Sequence, residues 1–206
     1  MAAAMGVSAG PRRPGGVGPR STEREDCRAV DGPAALVDAS PKDGGTQVAA
    51  RPYDLAMKSP VGWLGIRTDG ASVTAVDIQP DRPGTGREPG LVARRAEQAL
   101  ARYFAGDTAA LSDLPVAPVG TPFQQRVWNR MSAIPAGETL TYGALAGELG
   151  TSARAVGGAC RANPIPIVIP CHRVVAAQGL GGYSGERGGD WLGKKRWLLA
   201  HEGVRT

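Results

Sequence analysis

The residues best suited to chemistry are Cys171 and His172, which are adjacent in the run Pro170-Cys171-His172-Arg173. The thiolate is the nucleophilic form of cysteine, and a thiol with an ordinary pKa of about 8.5 is only a few per cent ionised at neutral pH. A base must therefore remove its proton, and His172 is the obvious base. Adjacent residues of an extended chain point to opposite sides, so the pair needs a bridging water or a turn at this point.

A carboxylate could orient the imidazole of His172, and Glu202 near the C-terminus is the candidate. The alternative is that Cys171 is one more small buried hydrophobic side chain, which is the common fate of cysteine.

The chain contains three cysteines, Cys27, Cys160 and Cys171, and two histidines, His172 and His201. An odd cysteine count without a signal peptide argues against a disulfide framework and favours a reducing, cytoplasmic environment. The spacing of these residues fits no zinc site, so we expect no metal and no cofactor. Periodicity places Cys160 on an inner helix face, and we expect His201 to be a packing or surface residue.

The net charge of +5 is unevenly distributed. Residues 1–119 contain 14 basic and 14 acidic side chains, whereas residues 120–206 contain 10 basic and 5 acidic ones. A local basic excess suits a polyanion such as nucleic acid. No apolar run is long enough to cross a bilayer, so we expect no membrane partner.

The segment that leads from Asn163 to Cys171 contains three prolines, Pro164, Pro166 and Pro170. Proline forbids a regular helix and favours extended backbone in the residue before it. We therefore predict an extended lead-in that the apolar run Ile165–Ile169 buries.

Three regions precede or surround this segment. Residues 1–50 are rich in glycine, proline and alanine and contain no aromatic residue, which predicts a disordered tail. Residues 53–119 predict a small α/β domain: a hairpin of Val61–Arg67 and Ser72–Gln79, a strand near Tyr53–Met57, and a helix over Leu91–Phe104. The stretch Leu111–Gly120 is interpreted as a linker.

Residues 120–206 predict a mostly helical domain. Thr121, Pro122 and Gln124 form a helix-start signature. Two short helices, Tyr142–Leu149 and 153–162, are joined by a turn that contains Gly150, the pattern of a helix-turn-helix. The pair Gly157-Gly158 destabilises the second helix by about 1 kcal/mol per glycine. We therefore expect close backbone approach there, either to DNA or to the first helix.

Together these segments resemble the O6-alkylguanine-DNA alkyltransferase family. The resemblance extends from about Thr121 to Gly203 and is weaker over 53–119. It rests on the segments Arg154-Ala155-Val156-Gly157-Gly158, Asn163-Pro164-Ile165-Pro166, Pro170-Cys171-His172-Arg173-Val174, Tyr183-Ser184-Gly185 and Leu198-Leu199-Ala200-His201-Glu202-Gly203.

The resemblance implies an α/β N-terminal domain with a ribonuclease-H-like small sheet, followed by a mostly α winged helix-turn-helix domain that carries the active site. It implies irreversible, single-turnover transfer of an alkyl group from O6-alkylguanine in double-stranded DNA to Cys171, with O4-alkylthymine as a further candidate substrate. His172 would deprotonate Cys171 through a water, Glu202 would hold His172, and Asn163 would fix the turn. The resemblance implies a monomer without an obligate protein partner.

It also implies residues that contact DNA. Tyr142 would press on the backbone and help to rotate the damaged nucleotide out, Arg154 would fill the vacated space, and Arg161 would bind DNA. The pocket for the flipped base would be lined by Tyr142, Tyr183, Ser184 and the backbone of Val174.

One segment departs from the family pattern. Glu186–Gly193 is a longer and more charged loop than usual, and it would border the pocket. The family's non-catalytic lesion-binding sister group replaces the reactive cysteine, whereas Cys171 is present here.

Two other classes stay open. The chain could be a lesion-binding or regulatory helix-turn-helix protein in which Cys171 is only structural. It could also be a cysteine hydrolase, which would need a base that approaches Cys171 directly and an oxyanion hole.

Overall fold

The computed structural model describes residues 52–79, 81–86, 88–182 and 189–205. The predicted tail therefore lies outside the described residues, as do Tyr183 and Ser184. No helix in the described ranges is long and apolar enough to cross a membrane.

A three-stranded antiparallel sheet comes first in the chain. Its strands are β1 (Leu55–Ser59), β2 (Gly62–Thr68) and β3 (Val73–Gln79), in the spatial order β1-β2-β3. In β2, Leu64 and Ile66 are two residues apart and both fully buried, as expected for one face of a pleated strand. The predicted hairpin and the additional first strand are confirmed, with bounds that shift by one or two residues.

The helix α1 (Leu91–Phe104) has the predicted bounds and packs against the sheet. Its buried face includes Ala96, Leu100 and Tyr103. Ala93 is buried as well, whereas Val92 is only partly buried.

The segment after α1 lies along the edge of the sheet. The amide of Val73 donates to the carbonyl of Pro115 at 2.9 Å, and the amide of Ala117 donates to the carbonyl of Val73 at 2.9 Å. The stretch Leu111–Gly120, interpreted from the sequence as a linker, is therefore hydrogen bonded to β3, and Leu111 and Leu114 within it are buried.

The helix α2 (Pro122–Ser132) begins with the predicted capping box. The side chain of Thr121 accepts from the amide of Gln124, and the side chain of Gln124 accepts from the amide of Thr121. Its buried face contains Trp128, whose indole donates to the carbonyl of Ala159 at 2.9 Å. This bond fixes α2 against the second of the two short helices.

These short helices are α3 (Tyr142–Glu148) and α4 (Ala153–Arg161), which pack on one another. Thr141 and Ser152 cap them, each accepting a backbone amide through its side chain. A turn through Gly150, with φ of 63°, joins them as predicted.

The glycines of α4 have no close neighbour. A Cβ atom built on Gly157 or Gly158 would meet nothing within 4 Å among the described residues. Of the two alternatives, close approach to the first helix is therefore wrong, because that side of α4 faces open space among the described residues, and close approach to DNA stays a prediction.

The lead-in to Cys171 is also not extended. Pro166 and Ile169 pair across a tight turn, with the amide of Ile169 donating to the carbonyl of Ile165 at 2.9 Å. Ile167 adopts a φ of 76°, a left-handed conformation that β-branched residues rarely take. Ile165, Ile167 and Ile169 are buried in the hydrophobic core. Their burial stabilises this turn and outweighs the preference of the prolines for extended backbone.

The last elements are β4 (Leu140–Thr141), which pairs in parallel with β5 (Val174–Val175), and α5 (Gly189–His201). The prediction of a loop over Glu186–Gly193 is therefore partly wrong, because residues 189–193 belong to α5. The earlier part of that loop lies outside the described residues.

Candidate active site

A single turn of 3-10 helix over Cys171–Arg173 carries the reactive pair. The amide of Cys171 donates to the carbonyl of Ile169 at 2.8 Å, and the amide of Arg173 donates to that of Pro170 at 3.0 Å. Cys171 is only 5% exposed and His172 is fully buried. This turn removes the opposed orientation that an extended chain would impose on the pair.

Asn163 holds the turn in place from the end of α4. Its Nδ2 donates to the carbonyl of Ile169 at 2.8 Å, and its Oδ1 accepts from the amide of Ile165 at 3.0 Å. Both partners belong to the loop that carries Cys171. Asn163 thus connects the end of α4 to the backbone of the loop that carries Cys171.

His172 and Glu202 are in contact, as predicted. The Nε2 atom of His172 lies 2.9 Å from Oε1 of Glu202, and both side chains are fully buried. Burial lowers the pKa of His172 below its ordinary value, and this effect outweighs the opposing influence of Glu202. The imidazole is therefore neutral at neutral pH and can accept a proton.

Glu202 has four hydrogen bonds to the residues that the structure describes. Besides His172, Tyr103 donates its hydroxyl to Oε1 at 2.7 Å, and Arg173 donates Nη2 to Oε1 and Nε to Oε2, both at 2.8 Å. Burial alone would raise the pKa of Glu202, but the hydrogen bonds from His172, Arg173 and Tyr103 hold it well below its usual range. Glu202 is therefore a carboxylate, which can only accept.

This carboxylate fixes the tautomer of the histidine. Because Glu202 accepts, Nε2 of neutral His172 must carry the proton, and Nδ1 must present a lone pair. The Nδ1 atom is buried and has no hydrogen-bond partner among the residues that the structure describes. The ring therefore has one nitrogen held in place and one available as a base.

A buried lysine lies close enough to Cys171 to interact with its charge. Lys195 of α5 is fully buried, and its ammonium donates to the carbonyls of Val174 at 2.7 Å and Gly182 at 3.0 Å. The hydroxyl of Tyr142 donates to the same Gly182 carbonyl at 3.2 Å. Burial lowers the pKa of Lys195 to about 8, although the charges of Cys171 and Cys160 oppose this shift.

Tyr142 also lies near both thiols. Burial, together with the charges of Cys160 and Cys171, raises its pKa above the ordinary tyrosine value. Cys160 faces inward as predicted, with its sulfur 3.4 Å from that of Met131. Burial raises the pKa of Cys160 to about 12, so it stays a thiol at neutral pH.

The predicted DNA-contacting arginines lie elsewhere. Arg154 is exposed in the first turn of α4, and Arg161 is exposed in its last turn. The structure thus brings together Cys171, His172, Glu202, Asn163, Tyr142 and the backbone of Val174, and leaves the two arginines on the helix surface. Tyr183 and Ser184 lie outside the described residues.

Sequence reasoning missed three residues of the site: Arg173, Tyr103 and Lys195. Arg173 had a signal, since it is adjacent to His172 and a buried carboxylate favours a charged donor. Tyr103 had none, because residues 53–119 contained nothing that suggested a catalytic role. In the ranges that the structure describes, no group of three His, Cys, Asp or Glu side chains is arranged to hold a metal ion.

The fold and site define a class of protein that combines a buried cysteine, histidine and glutamate with a pair of short capped helices. A family model described as the DNA-binding domain of 6-O-methylguanine DNA methyltransferase matches residues 122–204. Methylated-DNA–protein-cysteine methyltransferase from Salmonella typhimurium is 51% identical over 107 residues, which are 50% of this chain and 60% of that protein. The chain thus spans about 60% of the length of this relative.

Other relatives are matched over most of their length. A DNA base-flipping protein from Thermus thermophilus is 38% identical over 72% of this chain and 98% of that protein. The crystal structure of Mycobacterium tuberculosis O6-methylguanine methyltransferase matches with a TM-score of 0.59 and 37% identity, over 71% of this chain and 90% of that one. A structure from the same organism in complex with DNA has the same TM-score. The chain belongs to the methylated-DNA–protein-cysteine methyltransferase family.

Proposed function

We propose that this protein repairs DNA by transferring a methyl or larger alkyl group from the O6 atom of guanine to the sulfur of its own Cys171. O4-alkylthymine is a second candidate substrate. The observation that carries the proposal is the buried contact of 2.9 Å between His172 and Glu202, with His172 adjacent to Cys171 in a tight turn. A structural cysteine would not require a neutral histidine with a fixed tautomer beside it.

The first step is the transfer of the thiol proton of Cys171. Nδ1 of His172 takes the proton of the Cys171 thiol, through one bridging water, while Glu202 stabilises the imidazolium that results. The arrangement of Glu202 supports this step, because it already binds the opposite nitrogen of the ring. The charge of Arg173 keeps Glu202 ionised throughout.

The transfer itself is a displacement at the alkyl carbon. The sulfur of Cys171 forms a bond to this carbon as the bond from carbon to O6 breaks, and the electron pair goes to guanine. Guanine takes up the proton that the thiol released, so the products are unmodified guanine and a thioether. No ordinary base regenerates a thiol from a thioether, so each molecule acts once.

Duplex DNA must present the damaged base outside the stack. The O6 atom lies within the helix, and a cysteine that is 5% exposed can reach it only after the nucleotide is flipped. We assign α3 and α4 to the DNA-binding helix-turn-helix, with β4 and β5 as its wing. Arg154 inserts into the vacated space, Tyr142 rotates the nucleotide, and Arg161 binds phosphate.

The remaining expectations follow from this assignment. The Val174 backbone lines the pocket, a role that we also propose for Tyr183 and Ser184 outside the described residues, and the small sheet with α1 forms the ribonuclease-H-like half. We expect the protein to act as a monomer in the cytoplasm, on double-stranded DNA and without a cofactor or an obligate protein partner.

A second candidate function is lesion binding without transfer. It is favoured by the 38% identity to the Thermus base-flipping protein. The two functions differ in whether Cys171 forms a covalent bond, since a pure binder needs no thiol.

The deciding experiment is the mass of the Cys171 peptide after incubation with duplex DNA that carries O6-methylguanine. The proposal predicts one additional methyl mass on this peptide, and none on the peptide of Cys160. Cys171→Ala is the control, and it should bind the DNA without gaining mass. An unmodified wild-type peptide alongside tight lesion binding would favour the second candidate.

A further inference from the structure

The residue of interest is Tyr103, which lies in α1 and outside the 122–204 segment that the family model matches. Its side chain is fully buried, and its hydroxyl donates to Oε1 of Glu202 at 2.7 Å. The two residues are 99 positions apart in the chain. The half of the protein that holds the sheet thus contributes one of the four hydrogen bonds that Glu202 makes within the described part of the chain.

A second contact fixes the same residue. His201 precedes Glu202, and its Nε2 atom lies 2.7 Å from the backbone carbonyl of Tyr103. The rings of Tyr103 and His201 also meet edge to face, with centroids 5.1 Å apart. Tyr103 is therefore held through both its backbone and its hydroxyl by two consecutive residues at the end of α5.

We propose that Tyr103 is a positioning residue of the relay, which sets how strongly Glu202 attracts the proton on His172. This inference rests on the proposed function for its biological meaning, but it concerns the relay itself. Oε1 accepts from Tyr103, His172 and Arg173 at once, so these donors share the negative charge of one oxygen. Loss of one donor strengthens the pull of the oxygen on the others.

The direction of the effect follows. Without the tyrosine hydroxyl, Oε1 carries more unshared negative charge, and the protonated form of His172 is better stabilised. The pKa of His172 then rises toward its ordinary value. Because His172 must be neutral to accept the thiol proton, the rate should fall first on the acid side of the pH profile.

Tyr103→Phe tests this, with Tyr53→Phe as the matched control. Tyr53 also donates its hydroxyl to a carboxylate, Oδ2 of Asp77 at 2.9 Å, but this carboxylate belongs to strand β3. The measurement is the rate at which iodoacetamide alkylates Cys171, determined from the peptide mass at a series of pH values. The acid limb of this profile is the pH range in which the rate falls as His172 becomes protonated. Tyr103→Phe should move the acid limb to higher pH and slow the reaction about fivefold on that limb. Tyr53→Phe should leave the limb unchanged.

A double variant separates positioning from general loosening. If Tyr103 acts through Glu202, the change Tyr103→Phe should not move the acid limb further in a Glu202→Gln background. An unmoved limb in the single variant, or the same displacement in both backgrounds, would overturn the proposal. If Tyr103→Phe fails to fold, 3-fluorotyrosine at position 103 keeps the ring and is a stronger donor. It should move the limb to lower pH, and no movement would equally overturn the proposal.

The same experiment distinguishes this inference from the proposed function, because iodoacetamide requires no DNA. A shifted limb together with no methyl transfer from O6-methylguanine would retain the role of Tyr103 and reject DNA repair. An unshifted limb together with normal methyl transfer would reject the role of Tyr103 and retain DNA repair.

Discussion

Arg173 and Glu202 form a buried ion pair with two parallel hydrogen bonds, both of 2.8 Å. Arg173 donates a further hydrogen bond to the carbonyl of Ile134 at 2.5 Å. The guanidinium thus connects the segment that follows α2 to Glu202 at the end of α5. The pair serves two purposes at once. It holds Glu202 ionised for His172, and it fixes the turn that carries Cys171.

Glu202→Gln should therefore destabilise the protein by about 3–5 kcal/mol at neutral pH, because it leaves Arg173 buried without a counter-ion. The control is Glu148→Gln, which breaks the exposed pair with Arg130 and should cost about 1 kcal/mol or less. Urea denaturation measures both. An equal, small effect of the two changes would show that the buried pair does not stabilise the fold.

The same pair predicts acid sensitivity. The pKa of Glu202 is lower in the folded protein than in the unfolded chain, so its contribution to stability is complete above the unfolded value of about 4.3 and is lost as the pH falls. The free energy of unfolding should drop between about pH 5 and pH 3 in the wild type, and less steeply in Glu202→Gln. Identical slopes would contradict this.

Methyl transfer should remain efficient at mildly acidic pH. Burial holds the pKa of His172 below its ordinary value of 6.5, so the imidazole stays neutral to a lower pH than an exposed histidine would. The rate of transfer from duplex O6-methylguanine should lose half its value only below about pH 6.5. A midpoint at or above that pH would mean that His172 is not the proton acceptor in its buried state.

Asn163→Ala should both destabilise the protein and slow the reaction. It removes two hydrogen bonds from the turn at Ile167, at a cost of about 1–3 kcal/mol, and frees the segment that positions Cys171. Asn129→Ala, at an exposed position of α2, is the control and should change neither quantity. A rate that stays at the wild-type value in Asn163→Ala would show that the turn does not need this side chain.

Arg154→Ala should separate base flipping from chemistry. The variant should repair O6-methylguanine in duplex DNA far more slowly than the wild type, yet react normally with the free modified base, because only the duplex needs its stack filled. Arg94→Ala removes an exposed arginine of α1 and should affect neither reaction. Equal losses on both substrates would exclude an inserting role for Arg154.

Local sequence signals predicted the elements whose determinants are local. The periodicity of α1 and the capping box at Thr121 both lie within a few positions of what they determine. The pairing of Cys171 with His172 is local as well. Glu202 was identified through the family resemblance and through the chemistry that a histidine base requires.

Determinants that act across the chain could not be inferred in this way. Tyr103 reaches Glu202 only because α1 packs beside the end of α5. Lys195 lies between Lys194 and Arg196, a run that predicts a solvated charged surface. Its side chain is nevertheless fully buried, and its ammonium donates to the carbonyls of Val174 and Gly182. Ile167 takes a conformation that its side chain disfavours, because the isoleucine side chains around it are buried.

The most direct test of the account is a count of methyl groups transferred per protein molecule in the presence of excess duplex O6-methylguanine. If the sulfur of Cys171 is consumed by each transfer, the count should rise to one and stop, however long the incubation. A count that keeps rising would mean that the thioether is not the end product, and a count of zero with intact binding would mean that Cys171 is not an acceptor.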